Sequence, residues 1–265
     1  MSFIEWETVE DWVYDWLCMI NNAFDTAMET LTISPFNSSI TAVSTAMSAV
    51  EGVALVLVSL FFAMQLCNEA MLLKLQSYEQ VFKVFFRFIL AKVIVQNASA
   101  LMGIIYNSFN GLAAGLVEES YGFLSSFETD AILSEPAEEG FMNLNYLVKY
   151  LEVMPTFLIL MGACWVINLI LIGRIFEIVV YTAVSPIPLA TFAAEGWHDS
   201  AKAFLKYYAA VCLQGLVVVL MFYSFSQVID LMGGSDKVGI TIVALSLALG
   251  VAKSGQWARQ AIGCG

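Results

Sequence analysis

The chain has 265 residues, of which 60% are hydrophobic and only 13% charged, and its mean hydropathy is +0.79. A water-soluble domain has too little interior to hide that much apolar surface, so the composition excludes a soluble globular protein and makes lipid the solvent. With 11 basic against 23 acidic residues the formal net charge is −12, which argues against a nucleic-acid-binding surface built from clustered Lys and Arg.

In chain order, residues 1–33 come first. The stretch to Leu31 carries Glu5, Glu7, Glu10, Asp11, Asp15, Asp25 and Glu29 without a lysine or arginine, so it lacks the basic n-region of a signal peptide and is expected to be retained. Trp6, Trp12 and Trp16 recur there at roughly helical spacing. This pattern predicts an amphipathic helix with an aromatic face, lying either at a membrane interface or on a partner. Ser34-Pro35 ends it, leaving 34–265 as one transmembrane domain.

A first span is expected within 39–66. It opens on Ala, Ser and Thr, which favour close helix packing in lipid, and it contains Glu51. Residues 72–92 follow as a basic amphipathic helix with Lys74, Lys83, Arg87 and Lys92 among Leu and Phe, placed at the headgroups with its long side chains snorkelling. A second span covers 93–116 and an acidic outer loop 118–150. The third span starts near Pro155, where proline suits a first helical turn, and reaches Arg174.

Residues 175–194 remain apolar but contain Ser185-Pro186-Ile187-Pro188, and prolines so close together must break a helix. The groups so freed need protein or a cavity to cover them, as at a transport site or where a helix simply ends and turns back. A cytoplasmic loop at 195–206, a span at 207–229 and a last span at 238–252 complete the chain.

The basic residues fix the orientation. If 175–194 does not cross, Lys74, Lys83, Arg87, Lys92, Arg174, Lys202, Lys206, Lys253 and Arg259 face one side and only Lys149 and Lys237 the other, nine against two. If it crosses, the split becomes six against five. The positive-inside rule selects the first arrangement: five spans, N-terminus outside, C-terminus in the cytoplasm. The expected fold is therefore an all-α polytopic membrane protein with added interfacial helices and a proline-broken segment.

Catalytic signals are nearly absent. His198 is the one histidine, and no GxSxG, HExxH or Walker sequence occurs. Cys18, Cys67, Cys164, Cys212 and Cys264 are odd in number and far apart, which fits neither a disulfide framework nor a metal motif. We expect neither an enzyme nor a cofactor other than bound phospholipid.

Lys92, Gln96, Ser99, Gly103, Asn107, Asn110 and Ala114 recur every three or four residues and would share one helix face. Such a polar row in lipid either lines a pore, meets another subunit, or packs helices within the chain. Glu177, three residues after Arg174, is expected to pair with it along the helix. Glu51 together with the break at Pro186 and Pro188 supplies a second functional reading, a stand-alone channel or secondary transporter.

From the third span onward the chain resembles the TrbL-like polytopic inner-membrane channel subunits of type IV secretion and conjugation machines. The resemblance rests on a long apolar helix containing Arg174 that ends in TAVSPIPLATF, on GWHDSAKAFLKYYAAVCLQGLVVVL, and on ALGVAKSGQWARQAIG. It covers 150–262 by these motifs and 35–117 by pattern alone. It implies a non-enzymatic subunit in a bacterial inner membrane, forming a homo-oligomeric ring (a pentamer among the counts) at the base of the translocation path. It also implies contacts with other membrane subunits and the secretion ATPases, and transient contact with the transferred DNA or protein.

Overall fold

The computed structural model describes residues 6–34, 36, 41–71, 78–120, 144–193, 196, 198–231 and 237–264. Among these residues the regular structure is all helical: α1 Trp6–Thr32, α2 Thr41–Met71, α3 Tyr78–Gln96, α4 Ala98–Ser120, α5 Leu144–Val184, α6 Pro186–Ala190, a 3-10 turn Thr191–Ala193, α7 His198–Leu231 and α8 Lys237–Ile262. Among the described residues three helical stretches are long and apolar enough to cross a membrane: Val43–Met71, Tyr150–Ala193 and His198–Phe225. A fourth crossing is added if the bent pair Val81–Gln96 and Ala98–Leu116 counts as one. Five spans were expected, and three or four stretches of the described residues meet that length and composition. The expected last span, 238–252, lies within α8, a helix whose first turn includes side chains outside the described residues.

The chain divides into two compact units, one of Met1–Thr32, Leu112–Gly173 and Gly215–Ser254, the other of Ile33–Gly111, Arg174–Gln214 and Gly255–Gly265. In the first unit, α1 contributes Val9, Val13, Ile20, Phe24 and Leu31 to the core, and α5 contributes Val153, Phe157, Leu160, Cys164, Ile167 and Leu171. Those α5 positions alternate three and four apart, the spacing that lets side chains of nearly aligned helices interlock. Phe24 meets Phe222 of α7 edge-on at 5.5 Å, and Asn168 donates to the carbonyls of Ala23 and Cys164 at 3.0 Å each. The apolar stripe of α1 is buried among the chain's own α5, α7 and α8.

In the second unit, Val43, Met47, Ala54 and Val58 of α2 pack with Ala91 and Val95 of α3 and with Leu189, Ala190 and Ala193 of the turn after α5. Phe62 stacks near Phe88 at 4.4 Å and meets Phe85 at 5.3 Å. Three further boundaries move. Helix α5 begins at Leu144, so the outer loop expected over 118–150 is helical at both ends, and residues 121–143 lie outside the described residues. Pro155 sits inside α5 rather than in its first turn. Residues 198–206, expected as loop, open α7.

The segment expected to be broken over 175–194 stays helical to Val184, and the break is confined to Ser185. Pro186 has no N–H for the Thr182 carbonyl. Ser185 replaces it twice, donating from its backbone N–H at 3.3 Å and from Oγ at 2.8 Å. Leu189 N–H returns to the Ser185 carbonyl, and Thr191 Oγ1 donates to the Pro188 carbonyl at 2.7 Å. Helix α8 ends as locally as it can: Gly263 at φ +72°, with Cys264 N–H on Arg259 O and Gly263 N–H on Gln260 O, is a Schellman cap.

Candidate functional site

Two features of the second unit carry chemistry: an outward polar row on α3 and α4, and a buried polar core among α4, α5 and α7.

The row expected on one straight face is divided. Helices α3 and α4 meet at an angle of 66° around Asn97, whose side-chain amide donates to the Val93 carbonyl at 2.8 Å while its backbone N–H bonds the same oxygen. Lys92 and Gln96 therefore lie on α3, and Ser99, Asn107 and Asn110 on α4. Lys92, Gln96, Ser99 and Asn107 are exposed, and none has a side-chain hydrogen bond or ion pair among the described residues. Gly103 is covered, since a Cβ there would lie 3.8 Å from the Phe36 ring. Asn110 is half-buried, and its Oδ1 has no partner.

The other expected residues are placed as follows. Lys83 is exposed and pairs with Glu79 at 2.7 Å; the hydrogen bond and charge of Lys83 hold the Glu79 carboxyl below its ordinary value. Arg87 is half-buried and Lys74 lies outside the described residues. Trp12 and Trp16 meet Tyr150 edge-on at 5.3 and 5.9 Å, and Trp16 also meets Phe157 at 5.3 Å. The aromatic face thus finds the chain's own α5, while the Trp6 side chain lies outside the described residues. Glu51 is half-buried on α2. Pro186 is buried and Pro188 half-buried in the closed turn described above.

The buried core was not expected. Arg174 is only 5% exposed, so its guanidinium is enclosed by protein. Its Nε donates to the Val211 carbonyl at 3.1 Å and its Nη2 to the Cys212 carbonyl at 3.4 Å, both on α7. Around it, Tyr208 Oη lies 3.2 Å from Thr182 Oγ1 and donates to the Met102 carbonyl at 3.4 Å, and Tyr106 donates to the Ile33 carbonyl at 2.7 Å. Hydroxyls and a guanidinium thereby tie α4, α5 and α7 where lipid would satisfy none of them.

The expected Arg174–Glu177 pair is replaced. Glu177 accepts from Arg259 of α8 at 3.5 Å, and Arg174 has no carboxylate within ion-pair distance among the described residues. The signal for burial was present: Arg174 continues the three-and-four spacing of Cys164, Ile167 and Leu171 toward Ile178, all buried.

The remaining features are a groove and the cysteines. In the first unit an apolar groove of about 390 Å³ runs between α7 and α8, lined by Leu220, Met221, Phe225, Val243 and Leu247 with Ser224 and Ser246. Cys164 and Cys212 are buried, and all five cysteines are free. No group of three His, Cys, Asp or Glu side chains among the described residues is placed to hold a metal ion. No protein-family model matches this chain, and no curated protein or solved structure matches it either.

Proposed function

We propose that this protein is a non-enzymatic channel or scaffold subunit of a conjugative type IV secretion complex. It sits in a bacterial cytoplasmic membrane with its N-terminus outside and its C-terminus in the cytoplasm, and it assembles with copies of itself into a ring at the base of the translocation path. One observation supports assembly above all. Lys92, Gln96, Ser99 and Asn107 project from apolar helices without side-chain partners among the described residues. Hydrocarbon cannot satisfy such groups, so another subunit or an aqueous lumen must. The sequence motifs around Arg174, Pro186 and the end of α8 supply the secretion reading, and ATP-driven partners would provide the energy. The groove between α7 and α8 suits a phospholipid acyl chain.

The transporter reading gains less from the break at Pro186, where the Thr182 and Ser185 carbonyls accept from the chain's own groups. Paired cysteines at positions 96, 99 and 107, in a chain cleared of exposed native thiols, should crosslink between subunits in native-lipid particles. Leucine at the same positions should reduce DNA transfer more than leucine at the exposed Ile104 does. A protein that stays monomeric in those particles, with no intersubunit crosslinks, refutes the ring.

A further inference from the structure

Two arginines of the second unit, Arg174 and Arg259, compete for one acid, Glu177. Glu177 lies three residues beyond Arg174, one helical turn away on the same side of α5. In the structure it is held instead by Arg259, with Nη2 to Oε1 at 3.5 Å, across to the end of α8. The Glu177 and Arg259 side chains are 33% and 49% exposed, so this contact can open without uncovering a core. Arg174 is the reverse: buried, charged and, among the described residues, bonded to the Val211 and Cys212 carbonyls alone. A guanidinium has five donors, and these two bonds leave it without an anion in a medium where an uncompensated charge is expensive.

We propose that Glu177 is a shared carboxylate that makes the end of α8 a latch. Docked, Glu177 clamps Arg259 and leaves Arg174 to the carbonyls. When residues 255–264 lift, the freed carboxylate swings back one turn and neutralises Arg174. Release of the helix end is then compensated by the ion pair gained inside α5, so the end of α8 moves between two defined states rather than fraying. The Schellman cap at Gly263 keeps the last turn intact as it moves. The latch does not depend on the secretion reading, and its failure would leave that reading untouched.

The test follows the mobility of a nitroxide attached at Cys264 in the full chain in lipid nanodiscs. Cys18 and Cys67 are replaced by serine, and the buried Cys164 and Cys212 are kept. Arg259→Gln removes the docked contact but keeps the released one, and should raise the ratio of mobile to immobile signal about two- to five-fold, the scale of one partly exposed ion pair. Glu177→Gln removes both contacts and should raise it clearly less. Arg174→Gln removes only the released contact and should lower the ratio below wild type. A simple clamp without exchange would give equal rises for Arg259→Gln and Glu177→Gln and no change for Arg174→Gln. Equal rises overturn the shared-carboxylate latch, and no rise in either overturns the clamp itself. If Arg174→Gln does not fold, the comparison of the other two decides.

Discussion

Replacing Arg174 by methionine tests how the buried cation is held. The guanidinium makes two hydrogen bonds, at 3.1 and 3.4 Å. Bonds involving a charged group contribute about 1.5–3 kcal/mol each, and the 3.4 Å bond belongs at the low end, giving about 3–5 kcal/mol together. Against this stands the cost of keeping a cation out of water, still several kcal/mol per ion after relaxation. Methionine fills a similar volume with a flexible apolar chain. The Val211 and Cys212 carbonyls lie within α7 and retain their helical N–H partners, so no buried acceptor is orphaned. The two effects nearly cancel, and Arg174→Met should change unfolding free energy by less than about 2 kcal/mol. Arg174→Ala removes the same charge but leaves a cavity and should cost about 2–5 kcal/mol. Unfolding in mixed micelles of increasing SDS fraction, followed by tryptophan fluorescence, gives both values. A loss above about 4 kcal/mol for methionine would mean that an anion compensates Arg174 in the folded protein, and would refute its description as a carbonyl-held cation.

Tyr208→Phe should cost about 0.5–1.5 kcal/mol in the same assay. Combined with Thr182→Val it should cost less than the sum of the single changes, because the 3.2 Å contact is lost only once; strict additivity would disconnect the pair. Gly263→Ala should destabilise the end of α8 by about 1 kcal/mol, since φ is +72° although the space around a Cβ is open; faster hydrogen exchange confined to the last turn is the check. An impermeant maleimide on intact cells should label Cys18 but not Cys264, and Cys164 and Cys212 should stay unreactive until the protein is denatured; labelling of Cys264 without lysis would invert the orientation.

Much of this architecture follows from hydropathy, yet the breaks do not, and the two prolines show why. Pro155 and Pro186 each remove one N–H from an apolar helix, but α5 runs through the first and ends at the second. At Pro186 a serine precedes the proline, and its N–H and hydroxyl both reach the Thr182 carbonyl, so turning satisfies the acceptor that continuing would leave bare. At Pro155 the neighbour is Met154, which offers no hydroxyl for that purpose. Asn97 is the same effect without proline. Its side chain competes for the Val93 carbonyl, and a 66° bend appears in a stretch whose periodicity predicted one straight face. In each case the deciding information is a local hydrogen bond invisible to an average over 18 or 20 residues.

The placement of α1 and Arg174 was limited by a different ambiguity. An amphipathic pattern states that one face leaves water; it does not state what receives that face. Val9, Val13, Ile20 and Phe24 have the spacing of a helix on a membrane surface, on a partner or on its own chain, and the structure gives the last. Arg174 obeys the inverse rule. Charge suggests a boundary, but its position on the stripe of Cys164, Ile167, Leu171 and Ile178 demands burial, and position prevails because the α7 carbonyls are there to meet it. The row from Lys92 to Asn107 still faces the ambiguity that α1 has lost. Its residues lack side-chain partners among the described residues, and crosslinks through that row bear directly on what receives them.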